Sequence, residues 1–170
     1  PDVELVSPSE SSSKHVYTKT IKALHLFLGP RRAGDLHAQL YKWGDENKIN
    51  VWTEDFDLDI SAKHNLLQDS LFKQLCVRII SGEFQILVAG PPCGTYNIAR
   101  HSGPPGPPPV RSRDCLWGLP TLSVNNRSLV NQANMLVVGT IELCLLIHSA
   151  HGVFVIEHLE DSGPQFHCMF

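Results

Sequence analysis

Short apolar runs punctuate the chain, each ended by a breaker or a charge: Ala23-Leu24-His25-Leu26-Phe27-Leu28 before Gly29-Pro30, Phe84 to Ala89 before Gly90-Pro91-Pro92, and Val153 to Ile156 before Glu157. Runs too short for helices and bounded in this way are predicted as buried strands of a parallel sheet. Ile49 to Thr53 supplies a further strand. Between these runs the apolar positions change to helical spacing. Leu36, Leu40 and Trp43 mark a helix over 33–43 closed by Gly44. Leu71, Leu75 and Ile79 mark a second, capped by Asp69 and ended by Gly82, and a long third helix is predicted over 127–151, stopped by Gly152. Strand and helix alternate, so the predicted fold class is α/β: an open, mostly parallel sheet with helices on both faces.

The remaining segments read as connections. Glu54 to Asp59 is an acidic run, which by itself predicts a solvated loop. Residues 1–19 are rich in serine and are predicted as a flexible lead-in, leaving 20–170 for the domain. Seven consecutive Gly and Pro residues, 103–109, exclude helix and central strand, so a mobile loop is expected over 102–113, carrying Arg111 and Arg113. The most apolar stretch, Met135 to Ile147, contains Glu142 and is shorter than the roughly 20 residues of a membrane span, so it is expected to be a buried helix with no membrane partner.

Composition narrows the setting. A formal charge of −3 and a pI near 6.3 give no global basic field, and contact with nucleic acid would need local patches. Five cysteines, odd in number and without a C-x-x-C pair, suit a reducing compartment, and an intracellular location, nucleus or cytoplasm, is expected. Nine histidines include no pair with metal-ligand spacing; His148 and His151 are three apart with nothing to complete a site, so no metal is expected. The chain lacks an initiator Met and is read as a fragment.

In an open parallel sheet the carboxyl ends of the strands share one edge, and ligands bind in the crevice there. Gly29, Glu54, Asp55, Cys93 and Glu157 all follow apolar strands and are expected to converge on that edge. Cys93 is placed as a nucleophile, and Glu157 stands at a strand end where desolvation suits a carboxyl that donates a proton.

These residues resemble motifs of the DNA cytosine-5 methyltransferases, in the family's order. Leu26-Phe27-Leu28-Gly29 is similar to the Phe-x-Gly motif that accepts S-adenosylmethionine, Gly90-Pro91-Pro92-Cys93 to the Pro-Cys nucleophile motif, and Ile156-Glu157-His158 to the motif whose carboxylate acts on the base. The resemblance spans residues 21–161 and implies a Rossmann-like methyltransferase fold, here truncated. It further implies a cofactor site of Phe27, Gly29, Glu54 or Asp55 on the ribose, Asn65 near the adenine, and Pro91. The catalytic pair it implies is Cys93 and Glu157, with Arg100, Arg111 and Arg113 holding DNA phosphate or the flipped base. The chain departs from the family in Pro30-Arg31-Arg32 after Gly29, in His25 where the first strand often carries an acid, and in lacking the paired-Arg motif. Two function classes follow: a methyltransferase domain, active or degenerate, within a larger mobile-element-like polyprotein, and a non-catalytic interaction module that presents the Pro-rich loop to an aromatic groove. A cysteine hydrolase would need a histidine paired with Cys93, and none is obvious by spacing.

Overall fold

The computed structural model describes residues 17–157 apart from 30, 102 and 104. Most of the Ser-rich lead-in, and His158 with everything after it, lie outside the described residues. The strands are β1 (Lys19–Leu26), β2 (Ile49–Phe56), β3 (Ile86–Ala89) and β4 (Val153–Ile156), and the helices α1 (Leu36–Asn47), α2 (Asp69–Ile80) and α3 (Val124–Ser149). All the strand pairs are parallel and the order across the sheet is β2-β1-β3-β4. The α/β class and the parallel sheet are as the apolar pattern predicts.

Strand alternation decides where the helices lie. Adjacent residues of a strand point to opposite faces, and Glu54 meets Arg78 of α2 while Asp55 meets His37 of α1. So α1 and α2 cover opposite faces of the sheet. α3 packs beside α2, and their shared face holds the main core: Leu24 and Leu26 of β1, Leu87 of β3, Leu75 and Ile79 of α2, and Leu143 of α3 are all fully buried. The predicted stripe of α2 is therefore the packing stripe, with Leu71 against the same cluster.

The acidic run is not a loop at its start. β2 continues through Glu54 and Asp55 to Phe56, because each residue is paired in register with β1 and each carboxylate has a cationic or imidazole neighbour on its own face. Glu54 and Glu83 both bind Arg78, whose guanidinium holds the Glu83 carboxyl down at about 2.

α1 also departs from expectation. It starts three residues later than predicted and runs through Gly44 to Asn47, with Asp35 as its N-cap and Lys48, at φ 57°, as the left-handed stop. Leu36 and Trp43 are exposed, and the buried residues are His37 and Gly44. The helix lies so close to the sheet that a Cβ on Gly44 would stand 2.6 Å from the Ile49 carbonyl oxygen and 2.7 Å from Val51 Cγ2.

Two more expectations are corrected. β4 was expected to be buried, yet all four of its residues are exposed, because it forms the edge of the described sheet and α3 covers only part of it. α3 was expected to be buried, and it is so only on one face: Val130, Leu143 and Ile147 are covered while Met135, Val138 and Leu145 face outward. At 26 residues it is long and apolar enough, by length and composition alone, to cross a membrane.

Gly44→Ala should therefore lower stability by about 1–3 kcal/mol in chemical denaturation, the usual range for overpacking, although alanine favours an exposed helix by about 1 kcal/mol. A stabilised variant would show that α1 does not sit this close to the sheet.

Candidate functional site

The strand order reverses at β1, whose crossover to β2 runs one way while the chain returns past it to β3. A crevice opens at such a point, outside the carboxyl ends of the two strands that flank it. A cavity of about 430 Å³ lies there, lined by His25, Phe27 and Leu28 from the end of β1, Val88 to Gly90 from β3, Arg32 to Leu36 leading into α1, and Glu157 past β4. The turn after β1 is shaped by Phe27 and Gly29, both at positive φ (60° and 68°). It is pinned by the Gly29 N–H, which donates to Asp57 Oδ2 at 2.7 Å. The Asp57 Oδ1 atom accepts from the Asp59 N–H at 2.7 Å, so the carboxylate ties the loops after β1 and β2 together.

The helix that opens onto the cavity carries its own anion. Asp35 accepts from the Ala38 N–H and from Arg31, and these bonds hold its carboxyl down at about 2. The N-terminus of α1 is thus capped by a side chain and does not offer its full set of donors to an external phosphate.

Several predicted site residues meet on this edge and others do not. Phe27 lines the cavity and Gly29 follows directly on lining residue Leu28. Pro91 is buried just beyond Gly90. Glu157 donates its N–H to the Ala89 carbonyl at 2.8 Å and so is fixed beside the Pro-Pro-Cys loop, but it is exposed and not desolvated as expected. Cys93 is half-buried on that loop and does not itself line the cavity. Glu54 and Asp55 are held in mid-strand on opposite faces, by Arg78 and under α1, and neither lines the cavity. Asp57 is the acid at the strand end instead, displaced from the predicted pair because β2 runs longer than its apolar part. Asn65 closes a turn by accepting the Leu67 N–H at 3.1 Å and is likewise away from the cavity.

The arginines change role most. Arg111 was expected on a mobile loop with substrate, yet it is buried, as is Val110 beside it. Its guanidinium donates to Thr95 Oγ1 at 2.9 Å, to Asn134 Oδ1 at 2.8 Å and to the Leu116 carbonyl at 2.5 Å, and stacks on the Tyr96 ring at 3.7 Å. Arg100 donates to the Gly94 carbonyl at 2.7 Å and to the Pro108 carbonyl at 3.2 Å. Both side chains thus clamp the loop Gly94-Thr95-Tyr96 directly after Cys93. Only Arg113 of the three is exposed in the manner expected for a phosphate contact.

Sequence reasoning also missed a cluster against the cavity wall. His25 and Asp55 are register partners on β1 and β2, and His37 enters from the first turn of α1. His25 Nδ1 lies 3.3 Å from His37 Nε2, which lies 2.8 Å from Asp55 Oδ1. Burial lowers the pKa of both imidazoles, and each further lowers with a nearby cation or imidazolium while Asp55 opposes the trend. No sequence spacing could reveal the cluster, since its members are brought together by sheet register.

A second cavity of about 340 Å³ lies between α2 and α3, lined by Leu66, Phe72, Met135 and Leu143 among others, and it holds none of the predicted site residues. No family model, no curated protein and no solved structure matches this chain.

Replacing Arg111 with Ala would remove the donor to the Leu116 carbonyl and to Thr95, one of the two donors to Asn134 Oδ1, which keeps the Tyr96 hydroxyl, and the stacking on the Tyr96 ring, with each lost hydrogen bond contributing about 0.5–1.5 kcal/mol. The variant should lose at least about 2 kcal/mol of stability, and trypsin should cut the native protein after Arg113 well before Arg111. Early cleavage after Arg111 would contradict its buried placement.

Proposed function

We propose that the chain forms a Rossmann-like methyltransferase module whose cavity between β1 and β3 takes S-adenosylmethionine and whose Cys93 loop addresses a cytosine of DNA. The observation that carries the reading is the meeting, on one sheet edge, of a ligand-sized cavity at the strand reversal with Glu157 and the Pro-Pro-Cys loop on adjacent strands. The cavity falls within the roughly 300–1,000 Å³ range of small-molecule sites. Nothing stands within 4 Å of where a Cβ on Gly29 would be, so a ligand can approach its backbone. The self-capped start of α1 favours a cofactor bearing a sulfonium over one bearing a pyrophosphate. Phe27, Gly29 and Gly90 would flank it, and the lone pairs left on Asp57 would accept from its ribose hydroxyls.

Bound there, the cofactor supplies an electrophilic methyl group. Cys93, as thiolate, forms a bond from Sγ to carbon 6 of a base that has left its stack, and the electron pair of the 5,6 double bond moves toward carbon 5. Glu157, as the protonated acid, would donate a hydrogen bond to ring nitrogen 3 and stabilise the negative charge that develops. The methyl group would pass to carbon 5 as its bond to sulfur breaks and leaves a neutral thioether; loss of the carbon 5 proton to water and departure of the Cys93 thiolate would then restore the aromatic ring. The exposure of Glu157 and the partial exposure of Cys93 suit a macromolecular substrate, and the exposed Arg113 would be free to meet its phosphate.

Calorimetry on the folded protein should detect S-adenosylmethionine in the high micromolar range, roughly 5 kcal/mol, with the heat lost in Asp57→Ala. An oligonucleotide containing 5-fluorocytosine, given with cofactor, should form a denaturation-resistant adduct that vanishes in Cys93→Ser. In native thiol labelling Cys93 should react before Cys144, whose thiol burial pushes up to about 11, and before Cys76, raised by burial and by Glu142. No heat up to millimolar cofactor would remove the cofactor reading, and an adduct that survives Cys93→Ser would remove the nucleophile.

A further inference from the structure

We propose that His25, His37 and Asp55 form a binding site for a single zinc-class divalent cation beside the cavity. The proposal does not rest on the methyl-transfer reading. The three donor atoms lie within 4.8 Å of one another. Tetrahedral zinc with bonds of about 2.0–2.2 Å separates its donors by about 3.4 Å, and the two imidazole nitrogens already stand 3.3 Å apart. The contact between His37 and Asp55, at 2.8 Å, needs to open by about half an ångström to match.

A second observation points to a cation. Asp55 Oδ1 is buried without a hydrogen bond, although His37 Nε2 is at contact distance. A buried carboxylate oxygen of this kind carries a large desolvation cost. The two atoms touch without the alignment that a shared proton needs, whereas donors facing a common ion converge on a point between them and have no such requirement. Two imidazoles and one carboxylate form a borderline donor set, which suits zinc better than magnesium or calcium. Three protein ligands leave a fourth position, and the site borders the cavity through His25.

Arg31 explains how the cluster stands without metal. Its guanidinium contacts His37 Nδ1 and lies 3.8 Å from Asp55 Oδ2, supplying the positive charge that the carboxylate lacks. Arg31 is half-exposed and is held from outside by Asp35, so it can withdraw. Thr53 Oγ1, 3.3 Å from His37 Nδ1, then accepts a hydrogen bond from the N–H that a ligating imidazole carries on its other nitrogen. Arg31 is thus a competitor of the ion and not one of its ligands.

The test uses the full chain, reduced and free of metal, titrated with Zn²⁺ by calorimetry and with Co²⁺ by visible absorption. The expected result is one ion per chain, with tetrahedral cobalt bands and no thiolate charge-transfer band. His25→Gln should weaken binding at least tenfold, as should Asp55→Asn, since even outer-shell changes cost 10–100-fold. Arg31→Ala, which removes the competing cation and leaves all three ligands in place, should strengthen it about tenfold. If Asp55→Asn does not fold, His25→Gln and Arg31→Ala decide the matter. Absence of stoichiometric binding, binding that survives His25→Gln, a thiolate band, or an Arg31→Ala variant that binds no more tightly would each overturn the proposal.

Discussion

Everything in this fold depends on β1 being paired on both sides. β2 lies against one edge and β3 against the other, all in parallel, so the chain must cross the sheet in opposite directions before and after β2. Parallel crossovers are right-handed, and reversing direction moves the connecting helix to the other face. α1 is thereby separated from α2 and α3, and the ends of β1 and β3 are left uncovered between them. The cavity is a consequence of topology, and the side chains at the two strand ends only give it its chemistry.

Charge is built into the sheet as well as around it. Glu54 and Asp55, consecutive in the chain, are sent to opposite faces and meet different partners: one joins Arg78 and Glu83 in an ion network beneath α2, the other meets two imidazoles and Arg31 beneath α1. The first network is satisfied and binds α2 to the sheet. The second leaves a carboxylate oxygen without a hydrogen bond next to the cavity, which is the kind of local conflict expected where a site has been built at the cost of stability. Arg111 shows the reverse case, a cation that looks functional on a proline-rich loop and is consumed in holding Thr95, Tyr96 and α3 together.

What was legible in the sequence was what local pattern controls. The apolar runs ending at Leu28 and Ala89 mark strands because inner strands of a covered sheet are nearly continuously apolar, the run ending at Ile156 marks a strand although β4 is exposed at the edge, and the 71–75–79 stripe marks α2 because one helix face meets the core. The edge at which Gly29, Cys93 and Glu157 gather follows from the same alternation. What failed was what pairing controls. Glu54 and Asp55 read as loop because charge runs are normally solvated, and only a neighbouring strand can keep them extended. α1 was given the wrong face because it buries an imidazole and a glycine, neither of which registers as apolar, and its close approach to Val51 makes small size the deciding property. The His25, His37 and Asp55 cluster left no signal, since its members are joined only through the register of β1 with β2 and the entry of α1.

The central claim, that the strand reversal beside β1 creates the ligand site, is tested most directly by mapping amide shifts on the folded chain during titration with S-adenosylmethionine. The account predicts perturbations concentrated at Phe27 and Leu28, Gly34 to Leu36, Val88 to Gly90 and Glu157, with the groove between α2 and α3 unaffected. Perturbations centred on Phe72, Met135 and Gly139, or none at saturating cofactor, would contradict it.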